Sequence, residues 1–143
     1  MAGLRLGYVI GASEKLRIWD YKRDPWPLNS FAINAGIKLL SNKTFYDDWT
    51  KKIHDWINIE KTWVCNELSK INNLKIHKSS TNFFLIESKY SLSSNIDYLE
   101  KKGILIRECS SFRFLDEKWA RISLQSHKNN KILCREIQNS FKK

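Results

Sequence analysis

The feature that most constrains this chain is a change of period near residue 72. From position 44 to position 71 apolar side chains recur at three- and four-residue steps, with Phe45, Trp49, Ile53, Trp56, Ile59 and Trp63 on one stripe. That spacing predicts an amphipathic helix of roughly seven turns, because 3.6 residues per turn stacks such positions on one face. After Asn72 and Asn73 the apolar runs become short: 74–77, 82–87, 104–107 and 119–124 each read as a strand. The last of these alternates openly, with Ala120, Ile122 and Leu124 on one face and Arg121 and Ser123 on the other. One long helix followed by short strands has to pack a sheet against helices. The expected class is therefore α/β, an α+β domain with a small mixed or antiparallel sheet covered by helices.

Glycine and proline punctuate the rest. Residues 4–11 are apolar and closed by Gly11, and read as a buried strand, after which Ser13 caps a short turn. The run KRDPWP at 22–27 is an extended break, since its two prolines exclude both helix and ladder. Leu28, Phe31, Ala32, Ala35 and Leu39 then recur at helical spacing. A further helix is expected over 96–101, begun by Ser93 or Ser94 and stopped by Gly103. A final helix at 129–141 turns Ile132, Leu133, Ile137 and Phe141 inward.

Composition narrows the function. With 143 residues and 42% hydrophobic content the chain is long enough for one real core. No apolar run reaches the length of a membrane span, and the N-terminal stretch lacks a secretory pattern. Cys65, Cys109 and Cys134 are an odd, scattered set without a CxxC pair, which fits reduced thiols in a cytoplasm and no metal site. His54, His77 and His127 are isolated, and no metalloprotease, phosphate-loop or serine-hydrolase motif is present. The net charge of +10 and six tryptophans allow an alternative, a non-catalytic basic module binding nucleic acid. Against it, the lysines are scattered along the chain, and Trp49, Trp56 and Trp63 belong to the helical stripe expected to face a core.

Three of the seven arginines stand in apolar surroundings: Arg5 in AGLRLGY, Arg107 at the end of GILIR and Arg121 within WARISL. A guanidinium in such a setting is costly unless it meets an anion, and its fork grips carboxylate or phosphate through paired hydrogen bonds. One such arginine is readily explained by a structural ion pair. Three in one short domain point to an anionic ligand.

Those same segments carry a resemblance. AGLRLGY at 2–8, WPLNSFA at 26–32, STNFFLI at 80–86, GILIRECSSF at 103–112 and ARISLQSHKNNKIL at 120–133 occur in the order seen in one family. Together they resemble the C-terminal part of class I/II aminotransferases of pyridoxal-phosphate (PLP) fold type I. Within that family the likeness is nearest to threonine-phosphate decarboxylases of cobalamin synthesis and to histidinol-phosphate aminotransferases. The resemblance implies Arg5 on the phosphate of the pyridoxal 5'-phosphate cofactor, Arg121 on the substrate α-carboxylate and Arg107 near the distal phosphate of an amino-acid phosphate. It also implies a homodimer for the complete enzyme. Residues 1–24 would be a strand and connection of the large PLP-binding domain, and residues 25–143 the small C-terminal domain. The family's cofactor-holding lysine would fall ahead of Met1, and neither Lys15 nor Lys22 stands at the matching place. On this reading the chain is a C-terminal fragment, a split-gene product or a remnant, without a catalytic residue of its own.

Overall fold

In the computed structural model, which describes residues 2–142, three of the five α-helices begin where a side chain satisfies a free amide, whereas those starting at Ser13 and Ser93 have no side-chain cap bond. Helix α1 spans Ser13–Tyr21, α2 Ser30–Leu40 and α3 Lys43–Leu68. Asn29 Oδ1 accepts the Ala32 N–H at 2.8 Å ahead of α2, and Asn42 Oδ1 accepts the Phe45 N–H at 3.0 Å ahead of α3. Strands β1 (Leu74–Ile76) and β2 (Phe83–Ser88) follow, then α4 (Ser93–Lys101). Strands β3 (Arg107–Glu108) and β4 (Trp119–Ser123) and helix α5 (His127–Ser140) complete the order. Gly103, at φ 72°, closes α4 as expected. The Gly103 and Ile104 amides bond back to the carbonyls of Glu100 and Leu99 at 2.8 and 2.9 Å, and a side chain at this left-handed position would be strained. No helix of the described residues is long and apolar enough to cross a membrane.

The chain divides into two compact units, Met1–Lys51 and Lys52–Lys143. In the first, Ala2–Leu4 form a single 3-10 turn and α1 is a nine-residue helix where only a short turn was expected. The expected strand at 4–11 does not form. Its residues join no ladder, and Tyr8 and Ile10 are 90% and 86% exposed. A strand exists only by hydrogen-bonding to a neighbour, and none is offered to this segment among the described residues. Leu6 instead lies against Gly36 of α2, so close that a methyl group there would stand 2.6 Å from Leu6 Cδ2.

The second unit holds the sheet, in the order β1-β2-β4-β3 with every neighbouring pair antiparallel. Phe84 faces Ile122 and Ile86 faces Ala120 across the β2–β4 pair. These four side chains form the inner face, and Val64, Leu68, Ile96, Leu99, Leu133 and Ile137 from α3, α4 and α5 pack against them. One face of the sheet is thereby covered by helices and the alternate positions are left on the other.

Two further details differ from the periodic reading. Only Arg107 and Glu108 enter the β3 ladder, while residues 104–106 stay outside it. Trp49 and Ile59 are 40% and 67% exposed, whereas Trp56, Ile57, Trp63 and Val64 contribute to the core. A seven-residue ladder on a helix of 3.6 residues per turn drifts by about 20° per heptad, so it cannot keep facing one neighbour.

Candidate anion site on the open face of the sheet

The open face is set by strand period. On β2 it carries Phe83, Leu85 and Glu87; on β4 it carries Trp119, Arg121 and Ser123. Register then brings two of the singled-out arginines together, because Arg107 of β3 lies directly opposite Arg121 of β4. Opposed residues in an antiparallel pair share a face with Cα atoms roughly 5 Å apart. Like charges so placed repel, and no carboxylate among the described residues forms an ion pair with either guanidinium.

The two arginines have different surroundings. Arg107 is exposed, donates from Nη2 to Ser111 Oγ at 3.1 Å and lies 5.6 Å from the Phe112 ring centre. Arg121 is half-buried, with its guanidinium carbon 4.9 Å from the Phe83 ring centre. Its Nε is buried without a hydrogen-bond partner among the described residues. A buried donor left without an acceptor costs about 1–3 kcal/mol. A cavity of about 660 Å³ at this edge of the sheet is lined by both arginines and by Ser123, Gln125 and Asn129. Its donors suit an anion, and Ile104 and Ile132 give it an apolar wall.

Arg5 belongs to the first unit, where it is exposed and adopts φ 54°. A left-handed backbone costs a non-glycine residue on the order of 1 kcal/mol and tends to occur where a ligand is held. No carboxylate among the described residues forms an ion pair with the Arg5 guanidinium.

The cysteines offer no nucleophile. Burial pushes the Cys134 thiol up to about 12, and burial likewise raises Cys65 and Cys109 above the ordinary thiol range. The histidines are less isolated than their spacing suggested. His77 Nε2 lies 2.8 Å from Glu87 Oε2, and its ring packs on Trp119 at 4.7 Å. His127 Nδ1 sits 3.0 Å from Glu60 Oε1, and the buried carboxylate of Glu60 also accepts from Asn130 Nδ2 at 2.8 Å. Sequence reasoning missed Glu60, Asn130 and the two phenylalanines beside the arginines. Period two places Phe83 on the open face, but only the Phe83–Ser123 register shows that it neighbours Arg121.

A small antiparallel sheet with helices on one face is the fold shared with solved PLP-dependent aminotransferase-fold structures. The chain belongs to the class I and II aminotransferase family, whose sequence pattern matches residues 1–137. It is 31% identical to histidinol-phosphate aminotransferase from Thermoanaerobacter pseudethanolicus over 96% of this chain and 37% of that protein. Against the crystal structure of L-threonine-O-3-phosphate decarboxylase from Porphyromonas gingivalis it superposes with a TM-score of 0.77 at 26% identity, over 99% of this chain and 43% of that one. For histidinol-phosphate aminotransferase from Sinorhizobium meliloti in complex with pyridoxal-5'-phosphate the TM-score is 0.83 at 20% identity, a likeness of fold, over 99% and 38% of the two chains. This chain thus spans well under half the length of the relatives it matches.

Proposed function

We propose that this chain supplies the anion-recognition part of a pyridoxal-phosphate enzyme acting on a phosphorylated amino acid. The parent reaction is of the threonine-phosphate decarboxylase or histidinol-phosphate aminotransferase type. Residues 25–143 act as its small domain, and residues 1–24 belong with the large cofactor-binding domain of a cytoplasmic, homodimeric enzyme. The observation that carries this reading is the direct opposition of Arg107 and Arg121 with no carboxylate among the described residues paired to either.

The cofactor, when bound, supplies an electron sink for the bond broken at the amino-acid α-carbon. Arg5 would hold its phosphate. Arg121 grips the substrate carboxylate through its fork and so fixes the orientation of the α-carbon, which is where positioning lowers the barrier. Arg107 meets the distal phosphate with its guanidinium fork. Two cations on one face match a ligand with an anion at each end.

Titration of the chain with O-phospho-L-threonine, followed by amide NMR, tests the assignment. Arg121→Ala and Arg107→Ala should each weaken binding about tenfold or more, as expected for loss of a charged hydrogen bond. Unchanged affinity in both variants would sink it.

A further inference from the structure

The sheet register places an aromatic ring where it controls how Arg121 is presented. Phe83 pairs with Ser123 and Leu85 with Arg121, so Phe83 is the diagonal neighbour of Arg121 on the open face. The guanidinium carbon lies 4.9 Å from the Phe83 ring centre. Phe84, next in sequence, points the other way into the core at 2% exposure. The two consecutive phenylalanines thus have separate tasks, one packing the inner face and one meeting a cation.

An arginine side chain is long, and ordering it on binding costs affinity unless the fork is already held. Here the guanidinium carbon sits over the ring, and Nε is buried with no acceptor among the described residues. A cation over a ring is attracted to it and keeps its in-plane donors available to an anion. Building on the reading of Arg121 as the carboxylate-binding residue, we propose that Phe83 is a positioning residue for Arg121 and sets the affinity for the substrate carboxylate. It touches no reacting atom. The ring of Phe112 lies farther from Arg107, at 5.6 Å, and is 45% exposed, so it is the weaker support of the two.

The test compares two ligands on the same chain. O-phospho-L-threonine carries both anions, and O-phosphoethanolamine keeps the phosphate and amine but lacks the carboxylate. Phe83→Leu should weaken phosphothreonine binding about fivefold, leave phosphoethanolamine binding unchanged, and be rescued by Phe83→Trp, which restores a ring beneath the cation. A thermal melt of each variant shows that it is folded. If Arg121→Ala weakens phosphothreonine but Phe83→Leu does not, the positioning role is overturned while the anion site stands. Equal loss for both ligands, or no rescue by tryptophan, likewise overturns it, because a purely structural role produces those results. If the wild-type chain binds neither ligand, or Arg121→Ala changes nothing, the anion site and the role of Phe83 fall together.

Discussion

Residues 1–51 and 52–143 spend their apolar side chains in opposite ways. The first unit buries Ala32 and Gly36 among its described residues and leaves Tyr8, Ile10, Tyr21, Trp26 and Phe31 at least 85% exposed. The second unit buries Phe84, Ile86, Leu99, Ile122 and Ile137 to 2% exposure or less. The contrast separates two meanings of hydrophobicity. In the second unit apolar residues follow a period and close on one another, which yields a fold. In the first they are no less abundant but have no common neighbour to meet. Large apolar side chains left this exposed favour association.

The sharpest way to break that comparison is to remove one large ring from each unit. Phe84→Ala should destabilise by about 4 kcal/mol through lost burial and a residual cavity. Phe31→Ser should change stability by no more than about 0.5 kcal/mol while reducing aggregation. Urea unfolding and light scattering measure the two effects, and a loss above about 2 kcal/mol for Phe31→Ser would show that the first unit has a core of its own.

A somewhat smaller effect should follow from the polar interior of the second unit. Asn130 is fully buried, donates to Glu60 and to the Gln125 carbonyl, and accepts the Gln125 amide at 2.8 Å. Asn130→Ala strands the Gln125 amide and carbonyl, leaves Glu60 with His127 alone, and should cost about 3 kcal/mol by urea denaturation. A cost under about 1 kcal/mol would mean that the buried carboxylate is satisfied without it.

At neutral pH the smallest effect belongs to three carboxylates, all in the second unit. Hydrogen bonds from Lys70 to Glu67, from His77 to Glu87, and from Arg135 and Tyr98 to Glu136 hold each below the ordinary carboxylate range. A folded-state value below the unfolded one contributes stability above the unfolded pKa, lost as pH falls through the folded one. The urea midpoint should therefore be level down to about pH 5 and decline below about pH 4. Glu87→Gln combined with Glu136→Gln should flatten that decline, and an unaltered acid limb would assign it elsewhere.

Where one residue type decides the outcome by itself, the sequence was readable. Gly103 ended α4, the two prolines marked the break before α2, and the alternation of Ala120, Ile122 and Leu124 identified the inner face of β4. Arg107 and Arg121 were picked out because a cation in an apolar run needs a reason, and register then made them opposite neighbours. What the sequence could not show depends on pairing across distance. The apolar run at 4–11 has strand composition, yet forms none without a partner. Nothing in the local sequence ties Glu60 to Asn130, 70 positions later, whose amide bonds it. The placement of Phe83 beside Arg121 likewise follows from register, and a shift of one residue would have reversed its face.

That separation of Glu60 and Asn130 has a consequence in time. A ribosome adding about 5–20 residues per second makes α3 several seconds before the helix that answers its carboxylate. Throughout that interval Val64 and Leu68 have no α5 to close over them, and Glu60 stays in water. The last helix to be made is also the one that seals the first. Translation must therefore deliver α5 before the second unit can assemble, and a stall between residues 60 and 130 leaves an open, apolar intermediate for chaperones or proteases to meet.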